Sequence, residues 1–221
     1  MIEACLFDLD GVIVDTAKYH FLAWRRLANS LGFDFEEADN EKLKGVSRMG
    51  SLNLILEWGG VQCTEAEKET LAMQKNNWYR EYIERMEPGE ILPGVLSFLD
   101  ELKAKGIHVG LGSASKNAMT IIERVGMVAY FECVIDGTKH TKSKPDPEVF
   151  ELGAQMLGVT PAHCIVFEDA EKGVEAALNG GFYAVGVGSP AILGHAHMVI
   201  PGFSNLHFND ILQGIGQLQT Y

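Results

Sequence analysis

Six short runs of almost unbroken apolar residues, all but the first carrying β-branched side chains, punctuate the chain: "ACLF" (4–7), "IHVGLG" (107–112), "CVI" (133–135), "CIVF" (164–167), "YAVGVG" (183–188) and "MVI" (198–200). A strand with one wet face alternates apolar and polar residues. A strand that stays apolar throughout has both faces covered, which in practice means a parallel sheet between layers of helices. Most of the runs are separated by stretches of helical period, so the expected class is α/β.

Helix punctuation points the same way. Pro93 opens "GVLSFLDELKAKG", with Val95, Leu96, Phe98, Leu99 and Leu102 spaced for one face and Gly106 as the stop. In "SKPDPEVFELGAQMLG" Asp146 is expected as N-cap with Pro147 at the first helical position, and "TPAH" repeats the device with Thr160 and Pro161; both read as joints from strand to helix.

One interval breaks the alternation. Between residues 16 and 87 no strand-like run occurs, whereas "YHFLAWRRLANSLG", "SLNLILEW" and "TEAEKETLAMQKNNWYREYIERM" read as amphipathic helices, the last opening with a T-x-x-E capping box from Thr64 to Glu67. The expected organisation is a sheet core of residues 1–15 and 88–221 with an all-helical insertion at 16–87. An insertion placed directly after the first strand is expected over the carboxyl ends of the strands, where open α/β sheets bind ligands, as a lid.

The 221 residues, 47% apolar and 22% charged, suit a folded globular protein. Thirty acidic against eighteen basic side chains give a formal net charge of −12, which disfavours nucleic acid and anionic membranes as partners but not a small anionic substrate in a locally positive pocket. No stretch reaches the ~18 to 20 apolar residues of a spanning helix. Glu3, Asp8 and Asp10 interrupt the apolar N-terminus and no basic segment precedes it, so no signal peptide is expected. Cys5, Cys63, Cys133 and Cys164 are widely spaced and form no C-x-x-C pair, which favours reduced thiols and a cytoplasmic location.

Acids stand where the apolar runs stop. Asp8 and Asp10 end the first run, Ser113 ends the second, and Glu168 and Asp169 end "CIVF". In a parallel sheet these ends share one edge, so residues remote in sequence meet there. Carboxylates brought together repel unless a cation neutralises them, and hard oxygen ligands favour Mg2+ completed by water and substrate phosphate. Asp8, Glu168 and Asp169 are therefore the expected metal ligands, with the Asp10 backbone carbonyl as a further candidate. Ser113, the N–H groups at the start of a helix opened by "SASKN", and Lys144 before Pro145 are the expected receptors for a phosphate. Metal, phosphate donors and two acids at one edge suit phosphoryl transfer.

"DLDGV", the strand-terminal Ser113, the "SKP" lysine and the "ED" pair at Glu168 and Asp169 resemble, in order, the four motifs of the haloacid dehalogenase superfamily. The resemblance implies a Rossmann-like core with a C1-type helical cap. It also implies Asp8 as nucleophile, forming an aspartyl phosphate, and Asp10 as general acid and base. A dehalogenase of that superfamily needs only the first acid, so Asp10 favours phosphoryl transfer.

A mutase must also grip a phosphate that is not reacting, and a second set of anion donors is expected: Ser115, Lys116 and Asn117 after Ser113, and Arg48 in "LKGVSR", with Ala114 beside them as a further substrate-binding residue. These segments, with "DTAKYHFLAW", "QKNNWY" and "GVG" before Ser189 and Pro190, resemble the β-phosphoglucomutase family over most of the chain, weakening after about His195. That resemblance implies interconversion of β-glucose 1-phosphate and glucose 6-phosphate through β-glucose 1,6-bisphosphate; a monomer is expected. It makes Thr16 and His20 partners of Asp10 and Lys75 a hydroxyl contact, with Trp24, Leu43, Gly45, Val46 and Ser47 lining the sugar pocket. One departure is Ala170, where the family often has serine.

Plainer alternatives stand beside several of these roles. Glu168 and Asp169 alone would suit a solvated helix start, Lys144 an ordinary surface lysine, and Arg48 a surface cation. His20 lies among Leu22, Trp24 and Leu27 as a structural histidine would, Trp24 suits core packing, and Lys75 sits in a charge-rich helix whose default is a solvated face. His195 and His197 read as surface residues. The rival functions are a sugar-phosphate phosphatase on the same scaffold and a non-enzymatic sugar-phosphate sensor.

Overall fold

The computed structural model describes residues 1–43 and 46–216. The six apolar runs form six strands: β1 Ala4–Phe7, β2 His108–Gly112, β3 Cys133–Ile135, β4 Cys164–Glu168, β5 Tyr183–Val187 and β6 Met198–Ile200. All neighbours pair in parallel, in the order β3-β2-β1-β4-β5-β6. β1 and β4 lie side by side at the centre, and the chain leaves them in opposite directions across the sheet. This is the switch point at which doubly wound sheets open a crevice.

The strands are apolar throughout because both faces are covered. Ala4, Leu6, Val166 and Ala184 pack with Val149, Phe150, Val174 and Ala177. On the other face Phe7 stacks on Phe167 with ring centroids 4.7 Å apart, and Phe98 and Phe203 close around the pair. The four cysteines are free thiols, three of them buried. Among the described residues no helix is long and apolar enough to cross a membrane.

Contacts divide the chain into two compact units, Met1–Asp15 with Glu87–Tyr221, and Thr16–Met86. The first unit holds the sheet with helices α5 Val95–Ala104, α6 Ala118–Arg124, α7 Glu148–Leu157, α8 Glu171–Asn179, α9 Pro190–Leu193 and α10 Phe208–Gly216. The second is all helical, with α1 Ala17–Ser30, α2 Glu37–Glu41, α3 Arg48–Trp58 and α4 Glu65–Ile83 around a core that includes Trp24, Leu27, Phe35, Leu52 and Ile55. The Thr64–Glu67 capping box forms as its sequence requires, with the Glu67 carboxylate accepting from the Thr64 N–H at 2.7 Å.

Several local expectations are corrected. Helix α5 starts at Val95 behind Gly94, whose φ of +85° suits glycine, so Pro93 lies outside the helix and Leu96 faces solvent. Asp146 does not occupy the N-cap of α7, although its Oδ1 accepts from the Glu148 N–H. "TPAH" forms a single 3-10 turn leading into β4, a joint from helix to strand rather than the reverse. Helix α2 has no apolar period to announce it; the Glu36 and Asp39 capping box and an Asn40 bond to the Ala17 carbonyl hold it instead.

Candidate active site

In-register pairing fixes the geometry of the carboxyl edge. Phe7 lies level with Leu111 on one side and Phe167 on the other. One step further, Asp8, Gly112 and Glu168 therefore stand at one height, with the Asp8 N–H donating to the Phe167 carbonyl at 2.9 Å. Asp8 directly follows β1 and Glu168 ends β4, so the two acids flank the switch point.

Both are buried, at 6% and 1% exposure, and Lys144 reaches between them. Its Nζ donates to Asp8 Oδ1 at 2.6 Å, to Glu168 Oε1 at 2.5 Å and to the Gly112 carbonyl at 3.4 Å. One ammonium thus ties together the ends of three adjacent strands, using a donor for each. The surface-lysine alternative is removed by this burial. Burial alone would lower Lys144, but the Asp8 and Glu168 charges outweigh it and hold the ammonium above the ordinary lysine range. Burial, reinforced by the Asp8 charge, pushes Glu168 up to about 7 against the pull of Lys144.

The loop after β1 turns back at once. Val14 forms isolated bridges to Asp10 and Ile91, and the Asp10 N–H donates to Asp8 Oδ2 at 3.0 Å. Gly11 at φ +79° makes the turn, and a Cβ there would collide with the Asp169 carboxylate. The loop therefore lies directly on the second acid of the "ED" pair, which only glycine permits. A similar cradle sits below: a Cβ on Gly173 of α8 would collide with the Glu168 carboxylate, whose Oε2 accepts from the Ala170 N–H at 2.8 Å. Gly173 was not legible as a site residue, its only signal being a glycine inside a helix.

The donors gathered here are all oxygen, with neither sulfur nor imidazole among them, and the Gly11 cradle carries a backbone loop up to Asp169. Those features fit a hard divalent cation that keeps water and substrate oxygens in its shell. Among the described residues no three acidic, histidine or cysteine side chains form a ready-made metal cluster.

Ser113 is fully buried. Its Oγ accepts from the Ser115 N–H at 3.1 Å, which leaves its O–H to donate elsewhere. The expectation of a helix opened by "SASKN" with free N–H groups is corrected: α6 begins at Ala118, and the Asn117 N–H is already bonded to Ser115 Oγ at 3.2 Å. Ala114 and Lys116 lie on this same turn. It is braced from the other side by Gly137, whose N–H donates to the Ser115 carbonyl. Asp136, which the sequence did not single out, follows β3 buried and accepts from the Thr138 N–H at 2.9 Å, closing a turn.

In the helical unit the candidate residues form a second cluster. Lys75 is 2% exposed, which overturns the solvated-face alternative. Its Nζ donates to His20 Nδ1 at 2.9 Å and lies over the Trp24 and Tyr79 rings at 4.3 and 4.8 Å. Burial, then the Lys75 and Arg48 charges, hold His20 well below the ordinary histidine range, so the imidazole is neutral. Arg48 begins α3 half-buried, and that burial lowers its guanidinium while leaving it a cation. Ser47 caps the same helix, its hydroxyl accepting from the Gly50 N–H at 3.2 Å. Trp24 and Leu43 belong to the packed core, Val46 is half-buried and Thr16 fully buried; Gly45 lies outside the described residues. His197 is partly buried rather than on the surface, its Nδ1 accepting from the Ala184 N–H.

A family profile described as haloacid dehalogenase-like hydrolase matches residues 2–181. The chain belongs to this family. Among haloacid dehalogenase-like hydrolases, it is 43% identical over 206 residues to a β-phosphoglucomutase of Bacillus subtilis, covering 92% of this chain and 91% of the relative. It is 31% identical over 182 residues to a phosphorylated carbohydrates phosphatase of Thermotoga maritima, covering 81% and 82%. The crystal structure of β-phosphoglucomutase from Clostridium difficile superposes with a TM-score of 0.94 at 41% identity, covering all of both chains.

Proposed function

We propose that the chain is a Mg2+-dependent β-phosphoglucomutase, interconverting β-glucose 1-phosphate and glucose 6-phosphate. The observation that carries this reading is the 43% identity to a β-phosphoglucomutase, sustained over 92% of the chain and so through both the sheet and the inserted helices. The substrate is a sugar phosphate in the cytoplasm, and the working unit is a monomer.

In the proposed cycle Asp8 carries the phosphoryl group. Asp10 takes the proton from the C6 hydroxyl of β-glucose 1-phosphate as that oxygen attacks phosphorus and the bond to Asp8 breaks, giving β-glucose 1,6-bisphosphate. After the bisphosphate turns round, Asp8 attacks the C1 phosphoryl group while Asp10 returns the proton to the departing C1 oxygen, and glucose 6-phosphate leaves. Lys144 holds Asp8 in line, and the Ser113 hydroxyl donates to the moving phosphate. Asp8, Asp10 through its carbonyl, Glu168 and Asp169 would hold Mg2+, which when bound neutralises charge on the transferring group. Arg48, Ser115, Lys116 and Asn117 grip the resting phosphate, with Ala114 on the same turn. Val46 and Ser47, with Trp24, Leu43 and Gly45 behind them, shape the sugar pocket. Lys75 contacts a sugar hydroxyl, and Thr16 and His20 set the posture of Asp10.

The test separates isomer from free phosphate. With Mg2+ and a trace of bisphosphate, β-glucose 1-phosphate yields glucose 6-phosphate, and Arg48→Ala loses isomerisation by roughly 2 to 4 kcal/mol while losing residual hydrolysis far less. Inorganic phosphate as sole product, or equal losses in the variant, overturns the mutase in favour of a phosphatase. No turnover at all favours a sensor.

A further inference from the structure

The segment between β3 and α7, residues 136–147, has no regular structure, yet Lys144 on it must hold three strand ends at hydrogen-bond distance. A lysine stem is flexible and loops are the mobile part of a fold, so something must fix the backbone from which it extends. Backbone carbonyls meet the Gly137, Lys139 and Asp146 amides, but around Lys144 several main-chain groups are met by side chains. Glu148 Oε2 accepts from the Thr141 N–H at 2.9 Å and from the Lys142 N–H at 2.6 Å, while Oε1 accepts from the Thr141 hydroxyl at 3.2 Å. Its own N–H donates to Asp146 Oδ1 at 3.1 Å. His140 Nδ1–H donates to the Lys142 carbonyl at 2.8 Å, and Asn179 Nδ2 donates to the Pro145 carbonyl at 3.0 Å. The Lys142 and Thr141 amides hold the Glu148 carboxyl below its ordinary value.

We propose that Glu148 is a positioning residue: its carboxylate gathers the Thr141 and Lys142 amides and so sets the stretch of backbone from which Lys144 spans Asp8 and Glu168. Glu148 touches none of the reacting groups and acts only through the lysine. It is the hub because it is anchored at the first turn of α7, which packs against β1, β2 and β3, and so transmits the sheet's position to the loop. The reach of the side chain matters rather than its charge. A glutamine presents one oxygen to both amides and an N–H to the Thr141 hydroxyl, whereas an aspartate falls a methylene short.

The proposal rests on the role given to Asp8 and Lys144 above, and two readouts keep it separable from that role. The first is turnover: in Glu148→Ala and Glu148→Asp kcat falls roughly 10- to 100-fold with KM within about twofold, and Glu148→Gln stays near wild type. The second is acetylation of folded protein by acetic anhydride, read at Lys144 by mass spectrometry. Lys144 is protected in the wild type and in Glu148→Gln, and reacts at least about tenfold faster in the Ala and Asp variants. Wild-type kcat and protection in Glu148→Ala overturn the proposal, as does a pattern in which Asp resembles wild type and Gln resembles Ala. If Glu148→Ala fails to fold, the Asp and Gln pair decides alone. The expected acetylation pattern in a protein without isomerase activity upholds the positioning of Lys144 and overturns the mutase reading.

Discussion

Replacing Lys144 by methionine keeps a straight side chain of similar volume and removes the one cation buried between Asp8 and Glu168. The Lys144 side chain is 3% exposed, its partners 9% and 2%, so the charge is removed from a site largely closed to solvent. Breaking a buried ion pair from one side costs about 3 to 5 kcal/mol because the partner charges stay behind. Protonation limits the damage. Glu168 stands at about 7 in the intact protein against an ordinary 4.5, and loss of Lys144 moves it higher still.

The sign of the pH dependence follows from that shift. A carboxyl raised in the folded state binds its proton more tightly there than in the unfolded chain, so its contribution is complete below pH 4.5 and is lost as pH rises through about 7. In Lys144→Met the lossy window extends further into alkali. At pH 8 the variant carries two uncompensated acids or must protonate one, and the loss is about 3 kcal/mol, a fall in Tm of roughly 6 to 12 °C for a chain of this size. At pH 5.5 Glu168 is protonated in both proteins, and about half of that difference remains. Calorimetry of the two proteins in chelator at both pH values measures it. An unchanged Tm at pH 8, or a larger loss at pH 5.5 than at pH 8, would refute the picture of Lys144 as the neutralising group. Phosphoryl transfer falls roughly 10²- to 10³-fold in the same variant.

Two further outcomes follow from the geometry. His20 is held well below its ordinary 6.5, so its neutral form supports the fold above that pH, and the support is lost as pH falls and the buried ring must charge. In thermal melts from pH 8 to 5 the Tm advantage of wild type over His20→Gln therefore narrows with acid; a gap that widens rejects the neutral assignment. Gly173→Ala sets two effects against each other. Helix propensity favours alanine by about 1 kcal/mol, but the new Cβ strikes a Glu168 carboxyl that Lys144 and the Ala170 N–H hold in place. Overpacking of about 1 to 3 kcal/mol wins, so Tm and kcat both fall; a more stable, fully active variant would show Glu168 free to move.

What the sequence made legible divides along a physical line. Strands buried on both faces write themselves as apolar runs, and the interruptions at their ends, Asp8, Ser113 and Glu168, stand out because an acid or hydroxyl set against a core needs a partner that the apolar run cannot supply. The helical insertion was visible through period and the Thr64 capping box. Residues whose work depends on a partner remote in sequence left no such mark. Lys75 sits in a helix rich in charge, and its burial arises only when α1 brings Trp24 and His20 against α4. Gly173 reads as a weak helix residue until the Glu168 carboxyl is placed beneath it. Glu148 looks like an ordinary acid in the first turn of a helix, where the dipole alone would justify it. Its three donors come from a loop that has no pattern of its own. Polar residues that terminate apolar elements can be assigned from the chain, and polar residues that organise irregular backbone cannot, because the groups they satisfy are main-chain atoms that every residue carries alike.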